Sequence, residues 1–251
     1  MWKHGSDIAL LFTFALTCLN VEAQQNNSQS GAPRNDPIPE ITVVSQPDSP
    51  LSVDTSASRW AMPSHEIFDM HIVVKNRNTK PVRAYTARLE LGYSQKSQEM
   101  CYIQNIYFPG KVIKQDETDG KTRFLGFAKD LPPPPVQVFI DYVEFTDGST
   151  WGRDKCQSAE SLAGERAGGE AALKFLRTML QENGVQAVVQ TIRSGGPKVE
   201  QPDNQSARWN EAFSRGVEHV GYSVIEAYQK EGEPEVGVIL SKPYDASGTR
   251  Q

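Results

Sequence analysis

Val136–Cys156, VQVFIDYVEFTDGSTWGRDKC, joins a strand-like first half of the chain to a helix-like second half. Val136 to Phe145 is rich in the β-branched and aromatic residues that strands prefer. Asp147-Gly148 follows, a hairpin signal because both central residues of a type I′ turn need φ > 0, which Gly takes freely and Asp tolerates. Ser149, Thr150 and Trp151 begin the return strand. Strict alternation places Val138, Ile140 and Tyr142 on one face and Phe139, Val143 and Phe145 on the other. Both faces are then apolar, so the strand expects an opposing sheet on one side and the downstream helices on the other.

Upstream of the hairpin the pattern has a period of two. Ile41–Ser45 and Leu51–Trp60 are short strand segments around Gln46-Pro47-Asp48. Ile67–Lys75 alternates cleanly, with Phe68, Met70, Ile72 and Val74 on one face and Asp69, His71 and Lys75 on the other. After the turn cluster Asn76–Pro81, Val82–Leu91 carries Tyr85, Ala87, Leu89 and Leu91 inward. Its outward set, Thr86, Arg88 and Glu90, predicts one wet face. Cys101–Phe108 and Thr122–Ala128 are two further strands, separated by a polar loop that contains Asp119-Gly120. Leu131 to Pro135 is a stiff polyproline entry to the hairpin; an edge-blunting connector and a PxxP ligand are its two readings. Frequent turns between short strands predict an antiparallel β-sandwich.

The segment DMHIVVKNRNTKPVRAYTARLEL (Asp69–Leu91) resembles the extracytoplasmic immunoglobulin-like domains in which V-x-N-x-x-x-x-P-V/I-x-A joins two strands. It is similar to the FxLYD-type modules of bacterial secreted proteins, over about residues 40–156. Such modules have no catalytic residues of their own, so the resemblance implies scaffolding or binding and transfers no site.

After Cys156 the period becomes helical. Ser158–Glu182 carries Leu162, Leu173, Leu176 and Leu180 along one stripe, weakened by Gly164, Gly168 and Gly169 and stopped at Asn183-Gly184. Val185–Ile192 predicts a shorter helix. Ser206 is positioned to N-cap Ala207–Lys230, where Trp209, Phe213, Val217, Val220, Val224 and Tyr228 form one apolar face. Gly232 and Pro234 end it. Val236–Leu240, VGVIL, is a short apolar run that predicts an added edge strand.

Residues 1–23 read as a secretory signal peptide, with the apolar run Ile8–Leu19 and a small residue at Ala23. An uncleaved anchor and a lipoprotein built on Cys18 are the alternatives. Residues 24–39 are polar, with Pro and Asn, and read as a disordered linker. Asn26 and Asn204 sit in glycosylation sequons, relevant only in a eukaryotic host. Beyond the leader two cysteines remain, Cys101 and Cys156. In an oxidising compartment they pair; otherwise they are two buried thiols. The bridge would close a loop of about 55 residues, contributing about 4 kcal/mol on the chain-entropy model.

The formal net charge of −5 and the lack of a basic stripe argue against nucleic acid as a partner. No segment after the leader is apolar enough to span a membrane. His65, Asp69 and His71 share strand parity and are the one metal-ligand pattern; surface residues on a wet face are the simpler reading. Gly148-Ser149 lacks the strand–turn–helix setting of a nucleophile elbow, and Asp141 and Glu144 fall on opposite faces. No phosphate loop or dinucleotide fingerprint is present.

The sequence thus predicts a mainly β plus α protein: an immunoglobulin-like antiparallel β-sandwich over 40–156, a helical segment over 157–232 and a tail over 233–251. It predicts a secreted or periplasmic, non-enzymatic binding or scaffolding protein, its partner a protein or a cell-envelope component, with no cofactor. A carbohydrate- or peptide-binding module, with Trp60 and Trp209 as first contacts, and an enzyme with a site assembled only in three dimensions are the alternatives.

Overall fold

The computed structural model describes residues 38–61, 67–93, 97–105, 111–127 and 131–244. The leader, residues 24–37 of the linker, both asparagines of the first sequon region and His65 lie outside the described residues.

Two sheets face each other. The first runs β1 (Ile41–Val43), β8 (Val136–Phe145), β5 (Val82–Gly92), β6 (Ser97–Asn105), with β9 (Thr150–Gly152) also paired to β8. The second is centred on β4 (Ile67–Asn76), which pairs with β2 (Leu51–Asp54) and β3 (Arg59–Trp60) on one side and β7 (Thr118–Gly126) on the other. All pairs are antiparallel except β1, which runs parallel to β8. The fold is an immunoglobulin-like antiparallel β-sandwich followed by a helical region. Phe68, Met70, Ile72 and Val74 of β4 point into the core between the sheets, as their alternation predicts.

Strand β8 departs from strict alternation. Its register against β5 slips between Thr86 and Ala87, which face Tyr142 and Ile140, leaving Asp141 as an extra residue. This bulge reverses the phase of everything after it. Val136, Val138, Ile140, Val143 and Phe145 all enter the core, and Asp141, Tyr142 and Glu144 share the outer face. A second slip between Val82 and Ala84 leaves Arg83 as the extra residue on β5, so Val82 also reaches the core. The two apolar faces expected of β8 are therefore one apolar face read across a phase change.

The outer face of β5 and β8 is not wet either. Thr86, Arg88, Asp141 and Glu144 are all buried. Helix α1 (Ser158–Arg193) lies over one end of it. Leu162 packs on Ala84 and Tyr142, and Thr86 Oγ1 donates to Ser158 Oγ at 2.8 Å. The remaining contacts are charged. Glu144 accepts from Arg166 at 3.0 and 2.6 Å on its two oxygens and is ion-paired with Arg83. Arg88 contacts Glu90, Glu99 and Asp141 and lies over the Phe139 ring, 4.3 Å from its centroid.

Helices α1 and α2 (Ala207–Glu231) cross at very close range. A Cβ added at Gly168 would stand 2.0 Å from the Phe213 carbonyl oxygen, and one at Gly216 1.9 Å from that of Glu165. The glycines that weaken α1 as an isolated helix thus let the two backbones touch. Helix α1 is interrupted at Gly184 (φ 80°), where the sequence places its stop. Ser206 caps α2 by accepting the Trp209 N–H.

Val236–Leu240 is not a strand. It lies in α3 (Glu233–Ser241), started by Pro234 in its first turn, with Val236, Ile239 and Leu240 buried against α1 and α2. Five apolar residues fit either a buried strand or one face of a short helix, and packing decides. β7 also begins earlier than predicted: Asp119 and Gly120 are in the strand, paired with Val74 and Val73.

Candidate functional site

Cys101 and Cys156 form a disulfide, with Cα atoms 5.9 Å apart. Cys101 lies on the outer face of β6, opposite Arg88. Cys156 lies in the short linker from β9 to α1. The bulge residue Asp141 organises that linker: its carbonyl accepts the Asp154 N–H at 3.2 Å and its carboxylate the Cys156 N–H at 2.8 Å. Asp154 in turn accepts from Ser158 N–H and Ala159 N–H, capping α1. The chain from hairpin to helix is thereby fixed against β6.

β6 is an edge strand. Among the described residues nothing pairs with its outer side. The direction of its backbone groups follows from its neighbours. Val136 donates its N–H to Glu40 and Val138 accepts from Val44, so both point away from β5. Their partners Leu91 and Leu89 therefore point toward β6, where they face Gln98 and Met100. The alternate residues Glu99, Cys101 and Ile103 direct their N–H and C=O groups outward. The Gln104 side chain donates to the Ile103 carbonyl at 3.1 Å, in agreement with that direction.

A groove of about 550 Å³ opens along this edge. Cys101, Tyr102 and Ile103 form one wall, and Arg208, Glu211 and Arg215 of α2 the other, with Arg123 of β7 at its inner rim. The Arg123 guanidinium lies over the Tyr102 ring, 5.0 Å from the centroid, and its Nε is buried without a hydrogen-bond partner. Ser161 of α1 is only 2% exposed, and its hydroxyl also has no partner among the described residues. Arg208 donates to the Cys156 carbonyl at 3.0 Å, and Arg215 pairs with Glu211 at 2.7 Å. Glu165, the other acid of the groove, accepts from Asn105 Nδ2 at 3.0 Å and from the Tyr244 hydroxyl at 3.3 Å. Burial raises its pKa, but the bonds from His219, Asn105 and Tyr244 outweigh this and hold it below the usual carboxylate value. Burial pushes the Tyr102 phenol up, with Arg123 opposing.

A wider cleft of about 780 Å³ lies on the far side of the same sheet, between the 44–48 loop and β9. Its polar floor is engaged internally: Arg88 with its three carboxylates, and Trp151 Nε1 with Asp48 at 3.4 Å.

The other candidates from sequence do not converge. Asp141 and Glu144 share a face because of the bulge, but arginines occupy both. His71 Nδ1 lies 3.1 Å from Thr122 Oγ1, and among the described residues no group of three or more His, Cys, Asp or Glu is placed to hold a metal. Trp60 packs edge-on against Phe68 and Phe127, at 5.3 and 5.9 Å, and Trp209 stacks on Phe213 at 5.3 Å, so neither forms an exposed platform. Ser149 belongs to the hairpin turn, bonded to Asp147 and Lys80. No helix among the described residues is long and apolar enough to cross a membrane. The groove itself combines β6, β7, α1 and α2, and its one trace in the sequence is Cys101, which marks β6 as the strand tied to the helices.

No protein-family model matches the chain, and no curated protein matches it. A solved structure of a hypothetical protein from Peptoclostridium difficile 630 is similar at 13% identity and a TM-score of 0.31, over 45% of this chain and 91% of that one.

Proposed function

We propose that this is an extracytoplasmic, non-enzymatic binding protein, secreted or periplasmic, whose sandwich takes an extended segment of a partner protein as an added strand along β6. The observation that carries the reading is the state of the edges. β1, β2, β3 and β9 have two to four residues each, too short to template another chain. β7 has nine residues but carries Asp119, Lys121 and Arg123 on its inward-facing side, a usual protection against strand addition. β6 also has nine residues, and its inward set is Gln98, Met100, Tyr102 and Gln104, with no charge among them. It is the long edge without that protection, and it borders a groove. The leader-like residues 1–23 and the disulfide support the compartment. The likeness of Asp69–Leu91 to FxLYD-type modules points the same way.

The test is a binding titration, by fluorescence anisotropy, with a labelled hexapeptide of alternating valine and glutamate. Proline at an outward-facing N–H removes an edge donor without breaking the β5 ladder. Glu99→Pro should therefore abolish binding with the far-ultraviolet circular dichroism unchanged. Glu99→Gln, the control for the lost carboxylate, should bind at least as well as the unaltered chain. Undiminished binding by a folded Glu99→Pro variant contradicts the proposal, as does self-association of the chain through β6, which would make a second copy the occupant.

A further inference from the structure

Resting on that reading, we infer that the segment taken up along β6 is acidic. A strand beside β6 would alternate its side chains between two environments. Those facing the sandwich interior would continue the row of Met100 and Tyr102 and meet Arg123 across the opening between the sheets. Those facing outward would lie against α1 and α2, beside Ser161, Arg208 and Arg215. Both environments supply donors. Arg123 has no carboxylate partner among the described residues and a buried Nε without an acceptor. The Ser161 hydroxyl is buried and has no partner among the described residues. Arg208 donates one hydrogen bond, to the Cys156 backbone carbonyl.

The groove's own acids do not cancel this. Glu165 is held by Asn105 and Tyr244, and Glu211 is taken by Arg215 one helical turn away. A carboxylate arriving on the added strand would accept from Arg123 or from Ser161 and Arg208, giving acceptors to the buried Arg123 Nε and Ser161 hydroxyl, which have none among the described residues. An amide satisfies the same donors without the charge, and an ammonium group would meet the guanidinium groups of Arg123 and Arg208 with no acceptor to offer. Complementarity of this kind selects the partner and its register.

The experiment uses the full chain and three labelled hexapeptides in which valine alternates with glutamate, glutamine or lysine. The glutamate peptide should bind about tenfold more tightly than the glutamine peptide, and the lysine peptide weakest of all, as expected for a charge-assisted contact. Raising the salt should weaken the glutamate peptide alone. Arg123→Gln should bring the glutamate peptide to the level of the glutamine peptide. Ser161→Ala, which leaves the stacked Arg123 in place, should weaken the glutamate peptide more than the glutamine peptide. Equal binding of the glutamate and glutamine peptides overturns the acidic assignment and leaves strand addition standing. Tightest binding of the lysine peptide also overturns it. Failure of all three to bind overturns both.

Discussion

β6 and β7 are the two long edges on one side of the sandwich, equal in length and opposite in treatment. β7 turns charges inward at Asp119, Lys121 and Arg123, where a neighbouring strand would have to bury them. Tyr85 binds the first of these, donating its hydroxyl to Asp119 at 2.8 Å. Phe124 is left on the outer face, 71% exposed. β6 places amides, Met100 and Tyr102 inward and is clamped from outside by the disulfide to the start of α1. One edge carries inward charges, and the other is tethered by the disulfide and unpaired among the described residues. Rigidity at an open edge lowers the ordering cost of adding a strand, so the same clamp that stabilises the fold would also favour capture.

The strongest way to break the contrast is to release the clamp. Cys101→Ser with Cys156→Ser should cost about 4 kcal/mol of stability in urea denaturation. It should also weaken peptide binding, whereas equal affinity before and after would mean that the clamp serves stability alone. Next in size is the guard on β7. Lys121→Val with Arg123→Val removes two inward charges from that edge. Sedimentation velocity should then show a self-associating chain. A variant that stayed monomeric would mean that these charges are not what closes β7.

Tyr85→Phe is smaller. It deletes one hydrogen bond to an inward carboxylate and should cost about 1–2 kcal/mol. The smallest effect is expected from pH. Glu165 has a folded pKa below its unfolded value, so its contribution is present above about pH 4.5 and is lost as the pH falls through the folded value. Asn105→Ala removes one of the bonds that lower it and should flatten the acid limb of a stability–pH profile. Tyr142, pushed up to about 12 by burial and by Glu144, works at the other end. Its contribution is full below its ordinary value of 10.0 and fades as the pH rises toward 12.

Much of the frame is legible in the chain. The alternation in β4 needs only a period of two, and Asn183-Gly184 and Ser206 act locally as a helix stop and a cap. The pairing of Cys101 with Cys156 is one of the two readings their number allows, the other being two buried thiols, and the structure has the bond. What escaped has a common cause, because it depends on partners distant in sequence. A bulge at Asp141 leaves no mark on composition, yet it turns two apparent apolar faces into one. The inward charges of β7 disguise its first half as loop, and VGVIL carries too few residues to fix its period. Gly168 and Gly216 look like weak points until the facing helix is known. The groove draws on four elements, and the decisive property of β6, which of its amides face outward, is set by β8 and β1, two and three strands away.

Site-resolved amide hydrogen exchange, with and without the valine–glutamate hexapeptide, tests the central claim most directly. Strand addition along β6 predicts new protection at the outward amides of Glu99, Cys101 and Ile103, and none at Thr122 and Phe124 on β7. Protection confined to β7, or no change at Glu99, Cys101 and Ile103 in a sample saturated with peptide, would contradict it.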